Sequence, residues 1–239
     1  MDIPSQHQAE VDGWLPKHFD DSLRHDAVTS VACYEILRDW QSEGLPALFN
    51  RQANRFIPYV ATDLASLIDW VDSPILKDAI EDGVERENVY PWLDDEPFNG
   101  SIMEVVQVCG TIAEDFADGA PILVERFHVD PATADAFDEW LNGPYMQQVG
   151  MWPAVTRVRT FQAASGIPQR WPYNRYQGKG NRMIWVDFER ETNIIATTRD
   201  DTVSCSFSES VQWDLRLPYV VRDAGRQTIR RTKADVALA

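Results

Sequence analysis

The sequence is short of histidine, cysteine and positive charge, and each shortage closes off some chemistry. Its 239 residues hold four histidines and three cysteines. Cys33, Cys109 and Cys205 are scattered, odd in number and free of Cys-x-x-Cys spacing. Neither a disulfide framework nor a zinc site is expected, and a reducing cytoplasm fits best. Lys and Arg total 22 against 38 Asp and Glu, a formal charge of −16. That balance argues against nucleic acid and anionic membrane as partners. One basic run near the end (Arg222, Arg226, Arg230, Arg231, Lys233) reads as a solvated, partly frayed tail. No apolar run approaches the roughly 18 residues of a membrane span. The opening "MDIPSQHQAE" lacks the basic start and apolar stretch of a secretory signal. No Gly-x-Gly-x-x-Gly, Gly-x-x-x-x-Gly-Lys, His-Glu-x-x-His or Gly-x-Ser-x-Gly occurs. Nucleotide-dependent transfer, zinc hydrolysis and esterase chemistry lose most of their support.

What the sequence does have is a core's worth of apolar residues, 44%, and nine tryptophans. Some tryptophans will fill cores, and others suit a cavity for a flat organic ligand. Residues 9–25 read as a helix with Val11, Trp14, Leu15, Phe19 and Leu23 at its period, followed by a strand over 27–37. Residues 55–61 read as a strand that Pro58 places at an edge or bulge. A helix follows, with Thr62 or Asp63 as N-cap, then a strand over 101–112. The second half repeats the order: strand 121–129, a helix opened by Asp130 and Pro131, then strands 154–162 and 182–189. "SESVQWDL" suggests a short helix and "PYVVR" a closing strand. Trp14 and Trp140 lie 126 residues apart, whereas Val28 and Val155 lie 127 apart, so one inserted residue brings the two halves into register. The order is that of a split β-α-β unit used twice, with the first strand of the first half missing. The expected fold class is therefore α+β: two tandem ferredoxin-like repeats forming an intrachain barrel. The expected units are residues 1–115 and 116–239, the second with a long insertion at 162–181.

Three stretches carry a family likeness: "FHVDPATADAFDEWLNGPYMQQVGMWPAVTRVRTF", "EVDGWLPKHFDDSLRHDAVTSVACYEI" and "ATDLASLIDWVDSPILKDA". In these the chain resembles the dimeric α+β barrel superfamily, most of all its EthD-like branch. The resemblance implies that two copies in one chain form the barrel that single-domain relatives obtain by dimerising. His18 stands where family members keep a helix histidine, while the second half has Pro144 and Tyr145 there. Heme-binding tandem members need a proximal histidine in their second half, and only His128 is available, on a different element. No cofactor is expected, and the purified protein should be colourless and metal-free.

Strand alternation supplies the site logic. Arg126 and His128 share one face of their strand; Trp185 and Asp187 share one face of theirs. If the apolar faces meet the helices, these four face the barrel interior. First and third strands of a split β-α-β unit are neighbours, which brings His128 and Asp187 within reach. A histidine held by a carboxylate serves as general base or acid, and an arginine beside it stabilises an enolate. The bland alternative is an Arg126–Asp187 ion pair beside an inert His128. His18 adds a candidate at the pocket mouth; Tyr145, Trp185, Trp171 and Tyr173 are candidates for contact with substrate. The leading expectation is cofactor-free acid–base catalysis of lyase, isomerase or cyclase type on a hydrophobic, aromatic or polyketide-like metabolite. A cofactor-independent monooxygenase and a non-catalytic ligand-binding protein are the alternatives, and a homodimer is compatible with either.

Overall fold

Val11, Trp14, Leu15, Phe19 and Leu23 recur at helical spacing and bury one face of α1 (Gln8–Leu23). That face packs on Val28, Val31 and Cys33 of β1 (Val28–Ile36), together with Trp70 and Leu76. A computed structural model describes residues 3–37, 54–78, 100–110, 114–170, 180–191 and 219–237. After β1, Pro58 interrupts the next strand as expected, leaving β2 (Arg55–Phe56) and β3 (Tyr59–Ala61), both paired antiparallel to β1. Asp63 caps α2 (Leu64–Val71) by accepting from the Ser66 N–H at 2.7 Å. The first half ends with β4 (Met103–Gly110).

The second half opens with β5 (Ile122–His128). Asp130 accepts from the Ala132 N–H at 2.8 Å, Pro131 starts a single 3₁₀ turn, and α3 (Ala134–Trp140) follows. A π-helical turn, Leu141–Tyr145, joins α3 to α4 (Met146–Gly150). A π turn holds one residue more than an α turn, which matches the one-residue difference between the Trp14–Val28 and Trp140–Val155 spacings. β6 (Val155–Ala163), β7 (Arg182–Phe188) and β8 (Tyr219–Thr232) complete the sheet, with α5 (Lys233–Ala237) behind them.

All the strands belong to one antiparallel sheet in the order β2-β1-β8-β5-β7-β6-β4, with β3 also on β1. Within it β8-β5-β7-β6 is the strand order of a split β-α-β unit. One apolar core lies between α3–α4 and the outer faces of β5, β6 and β7, and a second lies under α1 and α2. A third, built from Ala32, Tyr34, Phe116, Ile122, Val124, Met183 and Trp185, fills the opposite, inner face. Among the described residues no helix is long and apolar enough to cross a membrane.

The basic run is no frayed tail. It belongs to β8, 14 residues long, which pairs with β1 on one side and β5 on the other and so joins the two halves. Its side chains are held by acids: Arg226 by Glu191 at 2.5 Å, Arg230 by Glu114 at 2.5 Å, Arg231 by Asp20 at 3.5 Å, and Lys233 of α5 by Asp26 at 3.0 Å. The helix expected at "SESVQWDL" lies outside the described residues.

Candidate functional site

β6 reads Val-Thr-Arg-Val-Arg-Thr-Phe, and strand alternation sends Arg157, Arg159 and Phe161 to one face. Val158, between the arginines, packs in the outer core under α3 and α4, so the arginines face inward. Opposite them β7 alternates the same way: Ile184, Val186 and Phe188 outward, Met183, Trp185 and Asp187 inward. The inner face therefore carries charge in an aromatic setting.

Asp187 is fully buried and is the hub. Its Oδ2 accepts from Arg157 Nε at 2.7 Å and Arg159 Nη2 at 3.4 Å; its Oδ1 accepts from Trp185 Nε1 at 3.1 Å. Arg157 also donates to the carbonyls of Glu114 and Asp115, and Arg159 to that of Asp115 at 2.9 Å. The Arg159 guanidinium stands 4.6 Å from the Trp185 ring centre and 5.9 Å from that of Phe161. Its Nε is buried without a hydrogen-bond partner among the described residues. Burial pulls the Arg159 pKa below its ordinary value, and the charge of Asp187 opposes that fall. Two guanidiniums on one buried carboxylate leave a surplus positive charge among these three side chains.

Around them rings meet. Trp185 lies 5.3 Å from Phe56, 5.6 Å from Tyr34 and 5.8 Å from Phe116, centre to centre. The Tyr34 hydroxyl accepts from Gln227 Nε2 at 3.1 Å; burial, chiefly, pushes its pKa up and keeps it neutral. Residues 114–120 close one end of this interior. Phe116 is 1% exposed, Asp115 Oδ2 accepts from Ser30 Oγ at 2.7 Å, and the Gly119 N–H donates to Gln227 at 2.7 Å. Phe56, Val60, Met103 and Phe161 are only partly buried, so the cluster reaches solvent on the side of β2, β3 and β4.

The expected residues separate. Trp185 and Asp187 come together inside, as alternation required. Arg126 and His128 share the face of Ile122 and Val124, but at the far end of their strand. The β5–β7 register sets Ile122, not His128, opposite Asp187. Six residues along a strand amount to ~20 Å, so the expected His128–Asp187 contact does not form. The alternative Arg126–Asp187 pair is displaced for the same reason, and Arg157 and Arg159 take its place. His18 and Tyr145 lie in the helix layers, on the other side of the sheet from Trp185. His18 stacks on Trp14 at 4.3 Å, and Tyr145 stacks on Trp140 at 4.4 Å and donates to Glu125 at 2.5 Å. Trp171 and Tyr173 lie outside the described residues. Arg157, Arg159, Tyr34 and Phe116 were missed, although the alternation of Val158 with the two arginines was in plain view. Among the described residues no three His, Cys, Asp or Glu side chains cluster to hold a metal ion.

Several solved structures share this fold. An anthrone oxidase-like protein matches with a TM-score of 0.63 and 10% identity, over 98% of this chain and 90% of that one. A protein of Fusobacterium nucleatum subsp. nucleatum, provisionally named a monooxygenase, matches with a TM-score of 0.57 and 8% identity, over 97% and 91%. A provisionally named monooxygenase of Lactobacillus acidophilus NCFM matches at 0.51 and 7%, over 97% and 92%. At such identities the likeness is one of fold, that of α+β barrel proteins. No family model matches the sequence, and no curated protein matches it.

Proposed function

We propose that the chain is a tandem of two ferredoxin-like units, residues 1–115 and 116–239, akin to the EthD-like branch, whose interior oxidises an enolisable aromatic small molecule with dioxygen and without a resident cofactor. The observation that carries this reading is Arg159, buried against Trp185 with an unfilled Nε and ringed by aromatics. The repeat is supported by the duplicated ring pairs, Trp14 on His18 and Trp140 on Tyr145, one residue further apart across the π turn. The names of the structural neighbours point towards oxygenation.

Loss of a proton to water from a CH₂ conjugated with a carbonyl through the flanking aromatic rings, as in anthrone, leaves an enolate. A guanidinium aimed at its oxygen stabilises that charge more than it stabilises the neutral ketone, and burial strengthens the effect. The enolate then passes an electron to dioxygen, and the two radicals join in a C–O bond. The hydroperoxide loses its outer oxygen with the remaining hydrogen of that carbon as water. One CH₂ and one O₂ become one C=O and one H₂O, and no outside reductant is needed. Phe56 and Phe161, the partly buried rings of the cluster, supply flat apolar surfaces for such a substrate.

Anthrone is the probe. We expect purified protein to consume one dioxygen per quinone formed, and to stop under argon. Arg159→Lys should lower kcat/KM by roughly 10²–10³-fold, the usual worth of one oxyanion donor, with the far-UV spectrum unchanged. A second reading, acid–base lyase or isomerase chemistry, is favoured by His128, whose Nδ1 is buried without a hydrogen-bond partner among the described residues. Turnover of an enolisable ketone that persists under argon and fails in His128→Gln would replace the first reading with the second.

A further inference from the structure

β4 hydrogen-bonds along one edge only, to β6; among the described residues its other edge pairs with no strand. Glu104 to Gly110 are all exposed, with Val105 at 56%, Val106 at 46% and Val108 at 53%. Natural sheets blunt such an edge with lysine, proline or inward charge. The strand "MEVVQVCG" has no lysine or proline and a single charge, Glu104, in a chain of net charge −16. With one charge in eight residues, the strand gives two copies little to repel each other where they would meet.

We propose that β4 pairs antiparallel with β4 of a second copy, about a twofold axis between Val106 and Gln107. Residues directly opposite in an antiparallel pair lie on the same face. The faces of β4 follow from its partners on β6. Met103, Val105, Val108 and Gly110 oppose Ala163, Phe161, Arg159 and Arg157 on the inner face. Glu104, Gln107 and Cys109 oppose Gln162, Thr160 and Val158 on the outer face, with Val106 the extra residue of a bulge. That order of faces reads alike from both ends. The twofold register sets Val105 against Val108, Glu104 against Cys109 and Met103 against Gly110, each on its own face. Slipping by one residue either way sets inner against outer positions. In this register Glu104 never faces its own copy, and the bulges meet on the axis, with a regular ladder on each side. Such self-complementarity is what a closed twofold interface needs.

The register is testable by cross-linking. Glu104→Cys, made in the full chain with Cys205→Ser, places its new thiol opposite Cys109 of the other copy, ~5 Å apart between α-carbons and within disulfide range. Diamide, which oxidises the two thiols to a disulfide and is itself reduced to the hydrazine, should give a covalent dimer that dithiothreitol reverses. Cys109→Ser should abolish it. Light scattering should give twice the chain mass, falling to one in Val106→Lys, whose ammonium meets the partner's edge. A monomeric mass at micromolar concentration would overturn the proposal. So would a dimer that withstands Val106→Lys and fails to cross-link, because it would use another face.

Discussion

A carboxylate buried beneath a helix must find a donor there or lose its charge. Glu125 is such a group: it breaks the apolar alternation of β5, and the Tyr145 hydroxyl reaches down from the π turn to meet it at 2.5 Å. Tyr145→Phe keeps the ring stacked on Trp140 and removes only that donor. It should destabilise the fold by about 1–3 kcal/mol, read as a lower urea midpoint at unchanged slope. An unchanged midpoint would mean that the bond adds nothing net. Asp187 teaches the complementary lesson. Alternation showed which way it faces, but not which residues stand opposite, because register depends on the long connections at 162–181 and after 188. The same alternation, applied to β6, would have placed Arg157 and Arg159 beside it.

At the scale of the element, the helix–strand pairs were the most legible part of the chain. Trp14 and Trp140 each begin a ring stack, and each helix runs into the strand foreseen for it. The mismatch of offsets had a physical cause that the sequence stated only as a number. His18 follows Trp14 by four residues and Tyr145 follows Trp140 by five, yet the two stacks match because the π turn absorbs the extra residue. Gly143 sits inside that turn, with nothing near where a side chain would begin. Deleting it should convert the π turn to an α turn and restore the spacing of the first half. The expected outcome is a folded protein with near-native tryptophan fluorescence and a cooperative thermal transition. Loss of that transition would show that the extra residue is needed for packing and not merely tolerated. Pro58 and Asp63 were equally readable, since a missing N–H and a free carboxylate at a helix start have few other uses.

At the scale of the molecule, the antiparallel α+β sheet was foreseen, but the places of two strands in it were not: β4 pairs with β6 and not with a strand of residues 1–115, and charge misled about β8. A run of arginines in an acidic chain looks like a solvated tail when taken alone. In the fold it is the strand that bonds β1 to β5, and its cations answer acids from both halves. Removing residues 219–239 would therefore split the sheet at its middle, and the shortened chain should show no cooperative unfolding at all. A frayed tail would leave the midpoint nearly untouched. Acid should act at the same seam. Hydrogen bonding and charge from Arg226 hold the Glu191 carboxyl below its usual range, and Lys233 does the same for Asp26. A folded-state pKa below the unfolded one stabilises the fold fully above about pH 4. That contribution is lost as pH falls through the depressed values. Stability measured by urea should then decline below about pH 4, and Arg226→Gln should flatten the decline by removing one of the linked pairs. Equal slopes in the two proteins would place the acid sensitivity elsewhere.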